Sequence, residues 1–349
     1  LMVKNIESGK TRQITDGSQH YSTAGSMEFA WSPDSKWFAL SYTGNRHDPY
    51  SDVGIVSAQG GEIVNLTNTG YFDYEPQWVL DGNALLFSSD RYGMRSHASW
   101  GSLNDVMIIY LNRKAYEIAR MSKEEYEIYS EAEKKAKEAE KKDAAKKDDK
   151  KTDAKVEDIV IELDNIEDRI VRLTPHSGPL SSFTMDKKGE KLYYVISYEG
   201  KFDLWQMDLR KRDNKALHRS IGNGMLAWDK KMENMFLLGG QMKKLKGGSG
   251  TPTPIAVRGD MVLDRSAERE YMFDRVYRQE KARFYHKDMH GVDWDAMRDN
   301  YARFLPHIDN NYDFAELLSE WLGELNVSHT GGRYTHPSTT SDDQTADLG

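Results

Sequence analysis

The sequence contains no cysteine in 349 residues, which excludes disulfides, thiolate metal centres and a cysteine nucleophile. It also lacks an excess of positive charge: 48 Lys and Arg against 56 Asp and Glu leave a net charge of -8. Without a basic face there is no counterion release to drive nucleic-acid binding, so no nucleic-acid partner is expected. No apolar run approaches the roughly 20 residues of a membrane-spanning helix, and no membrane partner is expected. The opening Leu1-Met2-Val3-Lys4 has neither the apolar region nor the cleavage site of a signal peptide. It reads as mid-strand, so the sequence is expected to be a piece of a longer chain. What the sequence does have is aromatic mass, with 8 Trp, 19 Tyr and 11 Phe, enough for a sizeable core. Its length suggests about two domains.

A repeat organises the first half. Trp31-Ser32-Pro33-Asp34 and Trp78-Val79-Leu80-Asp81 lie 47 positions apart, and each is followed by an apolar strand. A strand carrying Trp enters a tight turn in which Pro33 presets φ and Asp-Ser or Asp-Gly tolerates turn geometry, and a second strand leaves it. Asp52–Val56, the Gly60-Gly61 turn and Glu62–Thr67 add two more short strands. Four strands in roughly 45 residues is the pattern of a propeller blade. Weaker copies run through Ser182–Val195 with Asp203–Met207 and through Met225–Asp229 with Met235–Leu238, and Val3–Ile6 with Arg12–Thr15 reads as the outer strands of an incomplete blade. The tryptophans are expected to serve blade packing. Asp105, Asp203 and other acids at strand starts are expected to be turn caps. These blades resemble those of TolB-like and tricorn-type propellers, through residues 31–34 and 60–67. The expected fold is therefore mainly β with α: about four four-stranded blades over 1–264, then a helical domain over 265–334.

A charged helical insertion is expected over about 112–157, between the strands Asp105–Tyr110 and Asp158–Leu163. From Glu131 to Lys155 it holds ten Lys against eight acids. Ala, Glu and Lys favour helix, while the tract has almost no apolar face. Tyr116, Ile118, Tyr126 and Tyr129 are the expected anchors. Because this tract is slightly basic, the net negative charge belongs to the remainder of the chain. Gly247-Gly248-Ser249-Gly250 reads as a flexible connection.

Beyond residue 264 the period changes from two to 3.6. Tyr271, Phe273, Val276, Tyr277, Phe284 and Tyr285 fit one broad helix face. A second helix is expected to start at Asp293 as its cap and to be interrupted at Pro306. A third is expected to open with a capping box, Asp313-x-x-Glu316, and to present Phe314, Leu317, Leu318, Trp321, Leu322 and Leu325. It delivers Ser328-His329 into a loop with Gly331-Gly332, an arrangement that can present a general base without fixing it in the core. His286 and His290 are spaced to share a helical face, but Lys287 stands where a zinc-peptidase helix needs Glu, and structural or surface roles are expected for both. Asn65-Leu66-Thr67 fits a glycosylation sequon that a blade turn explains equally well.

Across about residues 266–332 the chain resembles the helical domain that follows the propeller in tricorn-type serine peptidases. The residues that carry the resemblance are Phe284-Tyr285, Met289–Trp294, Tyr301 and Gly323-Glu324-Leu325 before Ser328-His329. Asn326-Val327 departs from the expected Gly-Thr. The resemblance implies that His329 is the catalytic base and Ser328 an auxiliary hydroxyl of a tetrad. It also implies that the nucleophilic serine and the acid lie in later domains, with 335–349 as a linker toward a PDZ domain. No Gly-x-Ser-x-Gly elbow occurs in the chain to replace them, so residues 1–349 alone are expected to be inactive. The resemblance further implies peptide substrates, a homo-oligomer, and a cytoplasmic or else periplasmic location. No cofactor or metal is expected. The competing reading is a non-catalytic TolB-like propeller that binds a protein or peptide.

Overall fold

The structure, a computed structural model, describes residues 1–18, 27–44, 50–94, 102–144 and 158–335. The chain divides into two compact units, Leu1–Val257 and Arg258–Gly349.

The first unit is a stack of antiparallel sheets. Strands β1 (Met2–Lys4) and β2 (Thr11–Gln13) form a two-stranded remnant. Four four-stranded propeller blades follow. The first comprises β3 (Phe29–Trp31), β4 (Trp37–Tyr42), β5 (Asp52–Ser57) and β6 (Val64–Asn65). The second comprises β7 (Asp73–Val79), β8 (Ala84–Ser89), β9 (Asp105–Tyr110) and β10 (Ile170–Arg172). The third runs from β11 (Leu180–Met185) through β12 (Lys191–Tyr198) and β13 (Lys201–Asp208) to β14 (Asp213–His218). The fourth is β15 (Met225–Trp228), β16 (Asn234–Leu238), β17 (Lys243–Lys246) and β18 (Thr253–Pro254).

Alternation along the central strands explains the stacking. In β8, Leu85 and Phe87 join a core with Ala39, Val53 and Ile55 of the first blade, while Ala84 and Leu86 join Phe183, Leu192 and Tyr194 of the third. β12 repeats the arrangement: Tyr193 and Val195 pack with Leu226, Met235 and Leu237 of the fourth blade. Strands buried on both faces carry continuous apolar runs, and this is why β8, β9 and β12 read so plainly in the sequence. Trp78 and Trp228 pack against these cores, and Trp78 Nε1 donates to Ala30 O at 3.0 Å. Trp31 is 45% exposed, against Phe38.

The recurrent turn is fastened by its carboxylate. Asp34 accepts from Ser32 Oγ at 2.5 Å and from Lys36 N at 3.1 Å, and Asp186 accepts from Glu190 N and Lys191 N. The strand-start acids do more than cap turns, although Asp52 and Asp203 also accept from the turn amides of Thr69 and Ser220. Asp52, Asp105 and Asp203 are almost wholly buried and tie the end of each fourth strand to the third. Asp105 accepts from Thr174 Oγ1 at 2.7 Å, Ser177 Oγ at 2.6 Å and Arg172 Nε at 2.9 Å. Asp52 accepts from Thr67 Oγ1, Asn65 Nδ2 and Thr69 N, so the sequon asparagine is already engaged within its blade.

Two expectations fail here. Residues 158–163 form no strand: β10 occupies the free edge of β9, and Ile159 and Ile161 pack against the core from outside the ladder. Gly247–Gly250 is not a loose connection but the turn between β17 and β18, with Gly247 and Gly248 at φ 61° and 77°. A Cβ on Gly248 would meet Tyr193 at 2.8 Å.

Between β9 and β10 lie helices α1 (Arg113–Arg120), capped by Asn112, and α2 (Lys123–Ala144). The rest of the expected insertion, 145–157, and the expected linker from 336 onward lie outside the described residues.

In the second unit, α3 (Arg265–Arg283), α4 (Trp294–Ala302) and α5 (Asn311–Gly323) surround Trp321. This fully buried ring stacks on Phe273 at 4.2 Å and Trp294 at 4.6 Å. Asp293 caps α4 by accepting from Ala296 N, and a 3-10 turn at Leu305–His307 contains Pro306. The cap of α5 is not Asp313. Asn310, three residues earlier, accepts from the amides of Tyr312 and Asp313 and donates to Asp313 Oδ2 at 2.9 Å. Tyr271 and Tyr285 are exposed, and Tyr285 lies beyond the end of α3; the buried face of that helix runs through Phe273, Val276 and Tyr277.

Candidate active site

Helix α5 ends at Gly323, and fully buried Leu325 anchors the chain that leaves it. From there the loop is held at several points. Ser319 Oγ donates to Gly332 O at 2.7 Å and accepts from Gly332 N at 2.9 Å, while Thr330 Oγ1 donates to Val327 O. His290 Nδ1 lies 3.0 Å from Leu325 O. A carbonyl can only accept, so this nitrogen carries the proton, and in the neutral ring Nε2 is left to accept from Tyr285 Oη at 2.5 Å. Tyr301 Oη donates to Glu324 Oε1 at 2.9 Å, and burial, with Glu324 beside it, pushes this phenol up to about 12.

This frame presents Ser328 and His329 on the surface, both exposed. Ser328 Oγ lies 2.7 Å from His329 Nδ1. His329 has φ 67° and Asn326 φ 47°, a left-handed backbone uncommon for residues other than glycine and frequent where a side chain is held for function. With Nδ1 engaged, Nε2 of His329 points to no partner among the described residues. A histidine held through one nitrogen with the other free can take or give a proton at the free one.

The structure thus brings together Ser328 and His329, the two residues singled out in the sequence. His286 and His290 do not share a helix: both follow the end of α3, with ring centroids 5.7 Å apart and His290 at φ 58°. His286 Nδ1 pairs with Asp288. Among the described residues no three His, Asp or Glu side chains are grouped to hold a metal. Ser319 escaped the sequence reading, because a 13-residue hydroxyl clasp leaves no periodic trace, and the carbonyl partner of His290 lies 35 residues away, where spacing does not reveal it.

Residues 265–323 match the family model of the Tricorn protease C1 domain. The chain is tricorn-like. Over 357 aligned positions it is 25% identical to Tricorn protease homolog 1 of Streptomyces coelicolor, an alignment covering 94% of this chain and 32% of that protein. It is 40% identical over 67 residues to tricorn protease homolog 2 of the same organism, covering 19% of this chain and 6% of that one. A crystal structure of the tricorn protease superposes with a TM-score of 0.62 at 14% identity, over 95% of this chain and 31% of that chain. At that identity the likeness is one of fold. The chain therefore spans about a third of the tricorn relative it matches end to end. Ser328 and His329 lie just beyond the segment matched by the C1 model.

Proposed function

We propose that this chain is the propeller and base-bearing helical part of a tricorn-like serine peptidase acting on peptides. The observation that carries this reading is the Ser328–His329 pair, 2.7 Å apart, presented with Nε2 open at the end of a helical unit that matches the C1 domain. In this account Nδ1–H donates to Ser328 Oγ, the tautomer that leaves Nε2 unprotonated. Nε2 then accepts the proton of a serine hydroxyl as that oxygen attacks the peptide carbonyl, and later returns the proton to the leaving amine. The nucleophile, the oxyanion donors and the acid come from outside the described residues. Residues 1–264 act as a propeller that guides peptides, 265–334 carry the base, and 335–349 lead toward a PDZ domain. Assembly as a homo-oligomer and a cytoplasmic location belong to the same proposal.

The test is hydrolysis of a fluorogenic peptide by the full-length gene product. His329→Ala should lower turnover by about 10⁴-fold or more while peptide binding persists. Ser328→Ala should cost less, about 10- to 100-fold, because it releases an orienting bond and leaves the base in place. Unchanged turnover in His329→Ala would remove this residue from the mechanism and leave the propeller as a binding module.

A further inference from the structure

The insertion between β9 and β10 borders a half-open cavity. Helices α1 and α2 roof a cavity of about 910 Å³ whose floor is made by the turn ends of the second and third blades, a volume in the range of small-ligand sites. Its apolar wall includes Ile118, Ile159 and Leu209, and two tyrosines of the roof, Tyr126 and Tyr129, face the same space. The roof is fastened to the floor by Arg210. This guanidinium donates to Ile118 O at 2.8 Å and Met121 O at 3.1 Å and lies 3.8 Å over the Tyr126 ring.

Two features of the lining have no structural use within the described residues. Tyr110 is only 6% exposed and borders the cavity, yet its hydroxyl makes no hydrogen bond there. Burial pushes this phenol up to about 12, so it remains an unpaired donor at physiological pH on the cavity wall. The second feature is charge. The acids Glu133, Glu162 and Asp158 are matched by Lys114, Arg113 and Lys36. Lys187, Lys188 and Arg210 have no carboxylate partner among the described residues, and only Asp81 stands against them. The cavity thus combines an apolar body, an unpaired hydroxyl donor and three cations without a carboxylate partner among the described residues.

We propose that this cavity is a binding site for a carboxylate with an apolar body. The carboxylate accepts from Tyr110 and is attracted by Arg210 and by Lys187 and Lys188 at the rim, while the apolar part lies against the tyrosines of the roof. Such a group can be the C-terminus of a peptide or a free aliphatic acid. The site lies within the first unit, stands whether or not His329 is a base, and gives the insertion a purpose that its charged sequence does not suggest.

Titration calorimetry on the 349-residue chain tests it with three probes: N-acetyl-Leu-Leu-Phe, its C-terminal amide, and octanoate. Saturable binding of a free acid is expected, with the amide weaker by about tenfold. Tyr110→Phe, which removes one oxygen and keeps the packing, should weaken the acid about fivefold or more, as should Lys187→Ala with Lys188→Ala. His329→Ala should change nothing. Binding of the peptide acid identifies a peptide C-terminus as the source, and binding of octanoate alone identifies a free acid. Absence of saturable binding by both acids, equal binding of acid and amide, or indifference to Tyr110→Phe would overturn the site.

Discussion

Single carboxylates decide much about this molecule, and their surroundings make them behave differently. Glu75 sits at a left-handed position in β7, and its amide donates to Glu28 Oε2 at 2.8 Å. Burial first, and then the charge of Glu28, push its carboxyl up to about 7. A carboxyl whose folded value lies above its unfolded value binds its proton more tightly in the native state. Its contribution to stability is therefore fully present below about pH 4.5 and is lost as the pH rises through about 7. Glu75→Gln, neutral throughout, should raise the melting temperature at about pH 8 by a few degrees and leave it nearly unchanged near pH 4.5; equal shifts at both pH values would refute this. Asp105 is the opposite case, a buried acid that lives on its donors. Thr174→Val removes one of them and should cost about 1–3 kcal/mol in chemical denaturation. The turn acids were legible from Ser-Pro-Asp and Lys-Gly patterns because turn chemistry is local. The role of Asp52, Asp105 and Asp203 was not, since their partners Thr67, Thr174 and Arg219 arrive from another strand end.

Elements were legible in proportion to how many of their faces are buried. β8, β9 and β12 pack on both sides and declare themselves as apolar runs. Residues 158–163 carry the same alternation, yet the edge they would need is taken by β10, and no feature of the segment itself reports that competition. Helix α5 shows the limit at an element's end: the expected box Asp313-x-x-Glu316 does not form the cap, and Asn310 takes that place by accepting from the amides of Tyr312 and Asp313. Asn310→Ala should cost the second unit about 1 kcal/mol, whereas Glu316→Ala should stay within about 0.5 kcal/mol. Thermal or urea unfolding of the two variants checks both values, and a larger loss at Glu316 would restore the later box.

For the whole molecule, blade repetition made the first unit readable, because each blade needs neighbours and the sequence repeats the means of meeting them. The candidate site was readable only as a dipeptide. Its geometry depends on Leu325 being buried, on His290 gripping the loop from 35 residues away, and on Ser319 closing it from α5. The distribution of charge agrees with this organisation: the acidic balance lies outside the lysine-rich insertion, whose helices cover a cavity in the first unit. The account turns on one claim, that His329 is held through Nδ1 by Ser328 and offers Nε2 as a lone pair. Nitrogen-15 NMR of the neutral imidazole tests it most directly. The account predicts the Nδ1–H tautomer for His329, with that preference weakened in Ser328→Ala; an Nε2–H tautomer, or a His329 signal indifferent to Ser328→Ala, would contradict it.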